Sequence, residues 1–324
     1  MKILITGGAG FIGRHVVKLL APEHEIVVLD SFEKIVHGPS PDPHVEGAAQ
    51  VVDDRIEDFD AVLAAVHGCD AVIHLAAGVS IDASFSEPSR FVRTNALGTA
   101  VLWEAISKAQ TVKHVIVASS MSVYGAGYAH RGVFEDDPCA PASIYGLSKH
   151  QCEQLSLLAG KLYGIGVTSL RIWNTYGPGQ SLFNAETGVL AIFAARLLAG
   201  ERPRIYENGE QIRDFIEVSD VANAFKCALE SPARGIYNIG TGDAATVFYA
   251  ANLLCSHLTH GEINPEVTHY QRLGDVRYCY PNISRAQSAL GWKPTIKLAD
   301  GLAQYADWLR NSPEAALPRA APAD

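Results

Sequence analysis

No part of the chain approaches the ~20 consecutive apolar residues that a membrane-spanning helix needs, because glycine, histidine or charge interrupts every long apolar run. Met1 to Thr6 pass straight into a β-rich pattern, with no sign of a signal peptide. The expectation is a soluble, cytoplasmic protein with no membrane partner. The six cysteines (Cys69, Cys139, Cys152, Cys227, Cys255, Cys279) are scattered, without a C-x-x-C, and suggest neither a disulfide framework nor a metal site. Reduced, half-buried thiols and no metal are expected. Positive charge is in deficit as well: the net charge of −9 disfavours nucleic acid and anionic membranes, so an anionic small ligand needs local arginines. Internal repeats are absent. With 324 residues, 48% of them hydrophobic and 19% charged, the chain can bury a large core as one globular unit of two lobes.

What the chain does contain is an alternation. Short β-rich runs at Ile3–Ile5, Ile26–Leu29, Ala71–Leu75, His114–Val117 and Val167–Leu170 are separated by longer helical patterns. That order predicts an α/β fold with a doubly wound parallel sheet of the Rossmann type. A further strand, Gly235–Ile239, is expected to rejoin the sheet after an excursion. The boundaries read as 1–173 for the nucleotide-binding domain, which also receives about 212–240, and as 174–211 with 241–311 for a smaller substrate lobe. Residues 312–324 read as a flexible tail and Pro39–Pro43 as a loop. Ligands in such folds bind outside the carboxyl ends of the strands.

The run Thr6-Gly7-Gly8-Ala9-Gly10-Phe11-Ile12-Gly13 follows the first strand and opens a helix expected over Arg14–Leu20. Gly7, Gly10 and Gly13, spaced G-x-x-G-x-x-G, let the backbone approach a pyrophosphate seated on the helix N-terminus. Asp30 ends the second strand, where a carboxylate can bond both ribose hydroxyls and repel a 2′-phosphate, which favours NAD over NADP. Asp54, after the Val51-Val52 strand, is a candidate adenine contact, with Arg55 beside it.

Tyr145 and Lys149 lie four residues apart in Ser143-Ile144-Tyr145-Gly146-Leu147-Ser148-Lys149 and so share a helix face. The ammonium can lie near the phenol and stabilise its phenolate, lowering a group that ordinarily titrates near ~10 toward neutrality. Such a pair points to redox chemistry at a carbinol carbon, although Y-x-x-x-K alone is common on amphipathic helices.

These pieces, taken with His74-Leu75-Ala76-Ala77, Asn95-Ala96-Leu97-Gly98-Thr99, Ser119-Ser120-Met121-Ser122-Val123-Tyr124-Gly125, Leu170–Gly179, Gln211–Phe215 and Arg272–Asp275, stand in an order that resembles the extended short-chain dehydrogenase/reductase family. Within it the chain is most similar to the nucleotide-sugar epimerase and dehydratase branch, from Met1 to about Leu309. The resemblance implies NAD as cofactor, with contacts from Phe11, Ile12, Leu75, Ala76, Ala77, Asn95 and Trp173, and with Lys149 on the nicotinamide ribose. Ser120 would bond the reacting oxygen and share its proton with Tyr145. The implied substrate is a nucleotide-diphosphate sugar, met by Ser122, Asn174, Val189, Tyr206, Arg213, Arg272 and Asp275; arginine's fixed donor fork suits the diphosphate. Arg277 reads as a surface arginine. A homodimer is implied, built from helices around Phe91–Ser107 and Ser148–Tyr163.

The reaction is narrowed by two positions. Sugar 4,6-dehydratases in this family carry Asp-Glu after the catalytic hydroxyl residue, whereas this chain has Met121 and Ser122, which are poor proton carriers. Epimerisation at C4 needs only Tyr145 and NAD. The segment Tyr176–Phe193 looks most like dTDP-L-rhamnose 4-epimerases, but Asn184-Ala185-Glu186-Thr187-Gly188 stands where that group more often has Asn-Pro-Tyr-Thr-Gly, so sugar and base stay open. A dehydratase or net oxidoreductase is the alternative reading, and a non-catalytic NAD-binding protein a third.

Overall fold

Runs rich in Ile, Val and Leu fold into seven parallel strands of one sheet. The computed structural model describes residues 1–38, 40–182, 188–268, 270 and 276–311. Its strands are β1 (Lys2–Thr6), β2 (Glu25–Asp30), β3 (Gln50–Asp53), β4 (Ala71–His74), β5 (His114–Ser120), β6 (Gly166–Ile172), β7 (Asn174–Tyr176), β8 (Arg204–Ile205), β9 (Ile212–Arg213), β10 (Phe215–Glu217), β11 (Gly235–Ile239), β12 (Ala245–Thr246) and β13 (Glu266–Val267). The helices are α1 (Phe11–Leu20), α2 (Lys34–His37), α3 (Phe59–Val66), α4 (Ile81–Ser86), α5 (Pro88–Phe91), α6 (Gly98–Ala109), α7 (Ile144–Tyr163), α8 (Val189–Leu198), α9 (Val218–Glu230), α10 (Val247–Thr259), α11 (Ser284–Leu290) and α12 (Leu298–Asn311).

The large sheet runs β11-β6-β5-β4-β1-β2-β3. Strand order reverses between β1 and β4, so a crevice opens past their carboxyl ends, where ligands of doubly wound sheets bind. Both faces of this sheet are covered, which is why its strands read as unbroken apolar runs. Ile3, Ile5 and Val28 pack under α1 and α9 through Val16, Leu20 and Phe225. Leu4, Val27 and Val72 pack on the other face under α3 and α6 through Val66, Leu102 and Ile106.

The expected extra strand is present: β11 pairs in parallel with β6 at the sheet edge. A third apolar cluster lies off the sheet, where Leu190, Phe193 and Leu197 of α8 meet Leu254 of α10 and Leu302 and Tyr305 of α12. Helix α1 starts at Phe11, three residues earlier than expected, because extended Gly10 (φ −68°, ψ 176°) caps it. Pro39, Arg272, Asp275, Asn184–Thr187 and the tail Ser312–Asp324 lie outside the described residues. Among the described residues no helix is long and apolar enough to cross a membrane, and no group of three or more His, Cys, Asp or Glu side chains could hold a metal ion.

Candidate active site

The glycine loop is closed by backbone. Gly7 sits at φ +70°, and a Cβ there would fall 2.7 Å from the Ala76 nitrogen; one on Gly13 would fall 2.2 Å from the Gly7 oxygen. No side chain fits at either place, so the loop lies against the backbone past β4 and α1 lies against the loop, and the first-turn N–H groups of α1 stay open to an anion. Gly7, Gly10, Phe11, Ile12 and Gly13 line one end of a cavity of about 1140 Å³ that runs to Tyr206 and Tyr270. This exceeds the roughly 300–1,000 Å³ usual for one small ligand. Two ligands laid end to end suit its size.

Asp30, Asp54 and Arg55 line the same end. Arg55 reaches Glu33 at 3.5 Å, and its N–H donates to the Asp54 carboxylate at 2.7 Å. His37, which no sequence motif singled out, also lines this end.

Midway along the cavity stand Ser120, Tyr145, Lys149, Leu75, Ala76, Ala77 and Trp173. Ser120 is the last residue of β5, and its hydroxyl accepts the Ser122 N–H at 3.2 Å. Tyr145 and Lys149 occupy successive turns of α7, which starts at Ile144 because the hydroxyl of Ser143, its cap, accepts the Gly146 N–H at 3.0 Å. Phe91 meets the Tyr145 ring edge-on, 6.4 Å between centroids. Burial raises the Tyr145 pKa above its usual value, and the Ser120 hydroxyl offsets part of the rise. Burial likewise lowers Lys149. The expected lowering of Tyr145 by Lys149 is therefore corrected for the protein alone: desolvation of the phenolate is the largest cause, and what opposes it is the Ser120 hydroxyl, not the Lys149 ammonium.

Asn95 stands behind this wall, with no exposed surface. It lies in a π-helical turn, Val92–Leu97, between α5 and α6, a geometry frequent at functional sites. Its amide accepts the Gly78 N–H at 2.8 Å and donates to the Gly78 carbonyl at 3.1 Å and to Ser148 Oγ at 2.8 Å. A buried chain of bonds continues behind it. Thr99 Oγ1 donates to the Asn95 carbonyl at 2.6 Å and so accepts from His74 Nε2 at 3.0 Å; His74 Nδ1 then accepts from Thr6 Oγ1 at 2.7 Å. These partners fix one neutral tautomer. Burial, with Lys149 nearby, pulls the His74 pKa down to about 3.

The far end is lined by Ser122, Asn174, Val189, Tyr206 and Arg213. Asn174 donates to the Asp214 carbonyl at 3.0 Å and to the Met121 sulfur at 3.5 Å. The sulfur is a weak acceptor, so that second N–H can be taken over by a stronger one. Arg196 and Arg204 line this end beside Arg213 and were not singled out from the sequence. Arg196 shares a face of α8 with Val189, seven residues on, and that spacing was the available signal. Arg277 is half exposed, 3.1 Å from Glu210, and does not line the cavity.

Residues 3–240 match the model of the NAD dependent epimerase/dehydratase family. The chain is 35% identical to a putative UDP-glucose 4-epimerase of Methanocaldococcus jannaschii, over 96% of this chain and 99% of that one. It is 32% identical to dTDP-L-rhamnose 4-epimerase of Burkholderia thailandensis, over 95% of this chain and 94% of that one. The crystal structure of a Thermotoga maritima UDP-glucose 4-epimerase with UDP-glucose superposes with a TM-score of 0.87 at 34% identity, covering 96% of this chain and 99% of that one. Matched over most of its length in sequence and nearly all of it in structure, the chain belongs to the NAD dependent epimerase/dehydratase family.

Proposed function

We propose that the chain is an NAD-dependent 4-epimerase of nucleotide-diphosphate hexoses, linked to uridine or thymidine. The observation that carries this reading is Tyr145, buried beside Ser120 and Lys149 at mid-cavity, with Met121 and Ser122 where a dehydratase would need proton-carrying carboxylates. NAD fits the glycine cradle, where no Cβ can enter at Gly7 or Gly13, with Asp30 on the adenosine ribose and Lys149 on the nicotinamide ribose. What NAD supplies when bound is a reversible hydride acceptor with a cationic ring, so no external reductant is consumed.

The chain's own residues handle the proton. Tyr145 takes it from the C4 hydroxyl, Ser120 holds the same oxygen, and Lys149 supports the phenolate. A cation in the adjoining site favours ionised Tyr145, opposing the burial that raises it. The 4-keto sugar then presents its other face, and Tyr145 returns the proton. Arg213 and Asn174, with Arg272, hold the diphosphate during that turn; Arg196 and Arg204 line the same end, Arg196 paired with Glu201 at 3.0 Å.

In this reading residues 1–173 with 212–240 hold the cofactor, and 174–211 with 241–311 hold the sugar nucleotide, joined there by Arg213 from the first unit. The protein works in the cytoplasm as a homodimer. Leu147, Leu155, Leu158 and Leu162 form an exposed apolar stripe on α7, with Leu97 exposed at the end of the π-helical turn before α6, and a second copy would cover these surfaces. Incubation with UDP- and dTDP-hexoses, with no added nicotinamide and the products separated by chromatography, tests the proposal. Interconversion of C4 epimers is expected; accumulation of a 4-keto sugar, or no reaction with any of them, would contradict it.

A further inference from the structure

Asp30 is not alone at the end of β2. Its Oδ2 accepts the Ala9 N–H at 3.0 Å, its Oδ1 accepts the Phe32 N–H at 3.0 Å, and His37 Nε2 lies 3.3 Å from the same Oδ1. The His37 contact is one of proximity; the hydrogen bonds to Asp30 come from the Ala9 and Phe32 amides. Both side chains are 8% exposed, and both line the cavity. The backbone is committed to this arrangement. Phe32 holds φ +45°, a left-handed conformation costly for a bulky residue. Its N–H lies on Asp30 and its ring 5.3 Å from the His37 ring.

A carboxylate offers about four acceptor sites. The Ala9 and Phe32 amides take two, which leaves two for a pair of ribose hydroxyls. Both donors are backbone amides and fixed, whereas the His37 ring, at the end of the single-turn helix α2, can turn on its side-chain bonds alone. From its place beside Asp30 Oδ1 the ring can donate to a group added on the ribose edge that Asp30 would serve.

We propose that His37 is a second selectivity residue for the cofactor. It screens the Asp30 carboxylate and offers a donor to a 2′-phosphate, and so narrows the preference for NAD over NADP that Asp30 sets. The proposal rests on the reading that Asp30 meets the adenosine ribose. Other charges at this end are Glu33 and Arg55, paired with each other at 3.5 Å, and Asp54; none of them is among the donors to the Asp30 oxygens.

The purified protein can be dialysed against equimolar NAD and NADP, after which the bound dinucleotides are extracted and counted. Loss of one charge-assisted hydrogen bond corresponds to about tenfold or more in affinity, so His37→Ala should raise the bound NAD:NADP ratio about tenfold. Asp30→Ala should collapse that ratio toward one. An unchanged ratio in His37→Ala, with collapse in Asp30→Ala, would overturn the role of His37 and leave the ribose reading intact. An unchanged ratio in both variants would overturn both. His37→Asn, which keeps a donor, should fall between the parent and His37→Ala; matching His37→Ala in full would contradict the donor role.

Discussion

Asn95 donates its side-chain amide to Ser148 Oγ at 2.8 Å, and Ser148 Oγ donates in turn to the carbonyl of Tyr145, also at 2.8 Å. Through these two bonds the π-helical turn fixes the first turns of α7, and with them both Tyr145 and Lys149. Asn95 touches neither the cavity nor a reacting atom. It is a positioning residue.

Asn95→Ala leaves Gly78 and Ser148 without their buried partner. Misplacement of Tyr145 should lower kcat by about 10- to 100-fold with little change in the substrate KM, because the diphosphate contacts are untouched. Steady-state kinetics with the sugar nucleotide checks this, and a loss expressed only in KM would contradict it.

A second anchor of α7 is ionic. Glu153 accepts from Arg171 at 2.6 and 3.0 Å and from Ser169 Oγ at 3.0 Å, with Glu153 fully buried and Arg171 2% exposed. Arg171→Met strands a buried carboxylate and should cost about 3–5 kcal/mol in urea unfolding. Adding Glu153→Leu should recover much of that loss. A double variant no more stable than Arg171→Met would contradict the account.

Stability should fall in acid. His74 and His114 are pulled down by burial, to about 3 and about 4, from the ordinary 6.5. Between those limits the unfolded chain binds more protons, so their contribution is complete above about pH 6.5 and is lost as pH falls through the folded values. Each histidine approaches a slope of ~1.4 kcal/mol per pH unit there. Unfolding midpoints at pH 7.5 and 5 should differ, and His114→Gln should shrink the difference; an identical pH dependence in that variant would remove His114 from the explanation.

Arg213→Ala should raise the substrate KM about ten- to a hundredfold while bound NAD is retained, since the lost contact is a charge-assisted one of roughly 1.5–3 kcal/mol. Chromatographic assay of extracted dinucleotide separates the two sites. Loss of NAD from this variant would move Arg213 to the cofactor end.

Much of this arrangement is written locally. The strand Ile3–Ile5 runs into glycines, and a serine ends β5; strand-turn-helix context identifies both without knowledge of tertiary contacts. Asn95, expected as a contact of the cofactor, lies behind the cavity wall and orients backbone instead, and the π-turn that lets it do so leaves no periodicity in Val92–Leu97 to read. His37 meets Asp30 only because Phe32 adopts positive φ, which nothing about a phenylalanine announces. The Tyr145 shift was misjudged because spacing reports a neighbouring lysine but not the burial that opposes it. Arg204 joins Arg213 through the fold of the smaller lobe, not through proximity in sequence.

The central claim is that Tyr145 moves the C4 proton. Tyr145→Phe keeps the ring against Phe91 and removes only the hydroxyl, so turnover of the sugar nucleotide should fall by about 10²–10⁴-fold, the scale of general acid–base catalysis, with NAD content and unfolding midpoint unchanged. A Tyr145→Phe variant that epimerises at the parent rate, with the parent pH profile, would contradict it.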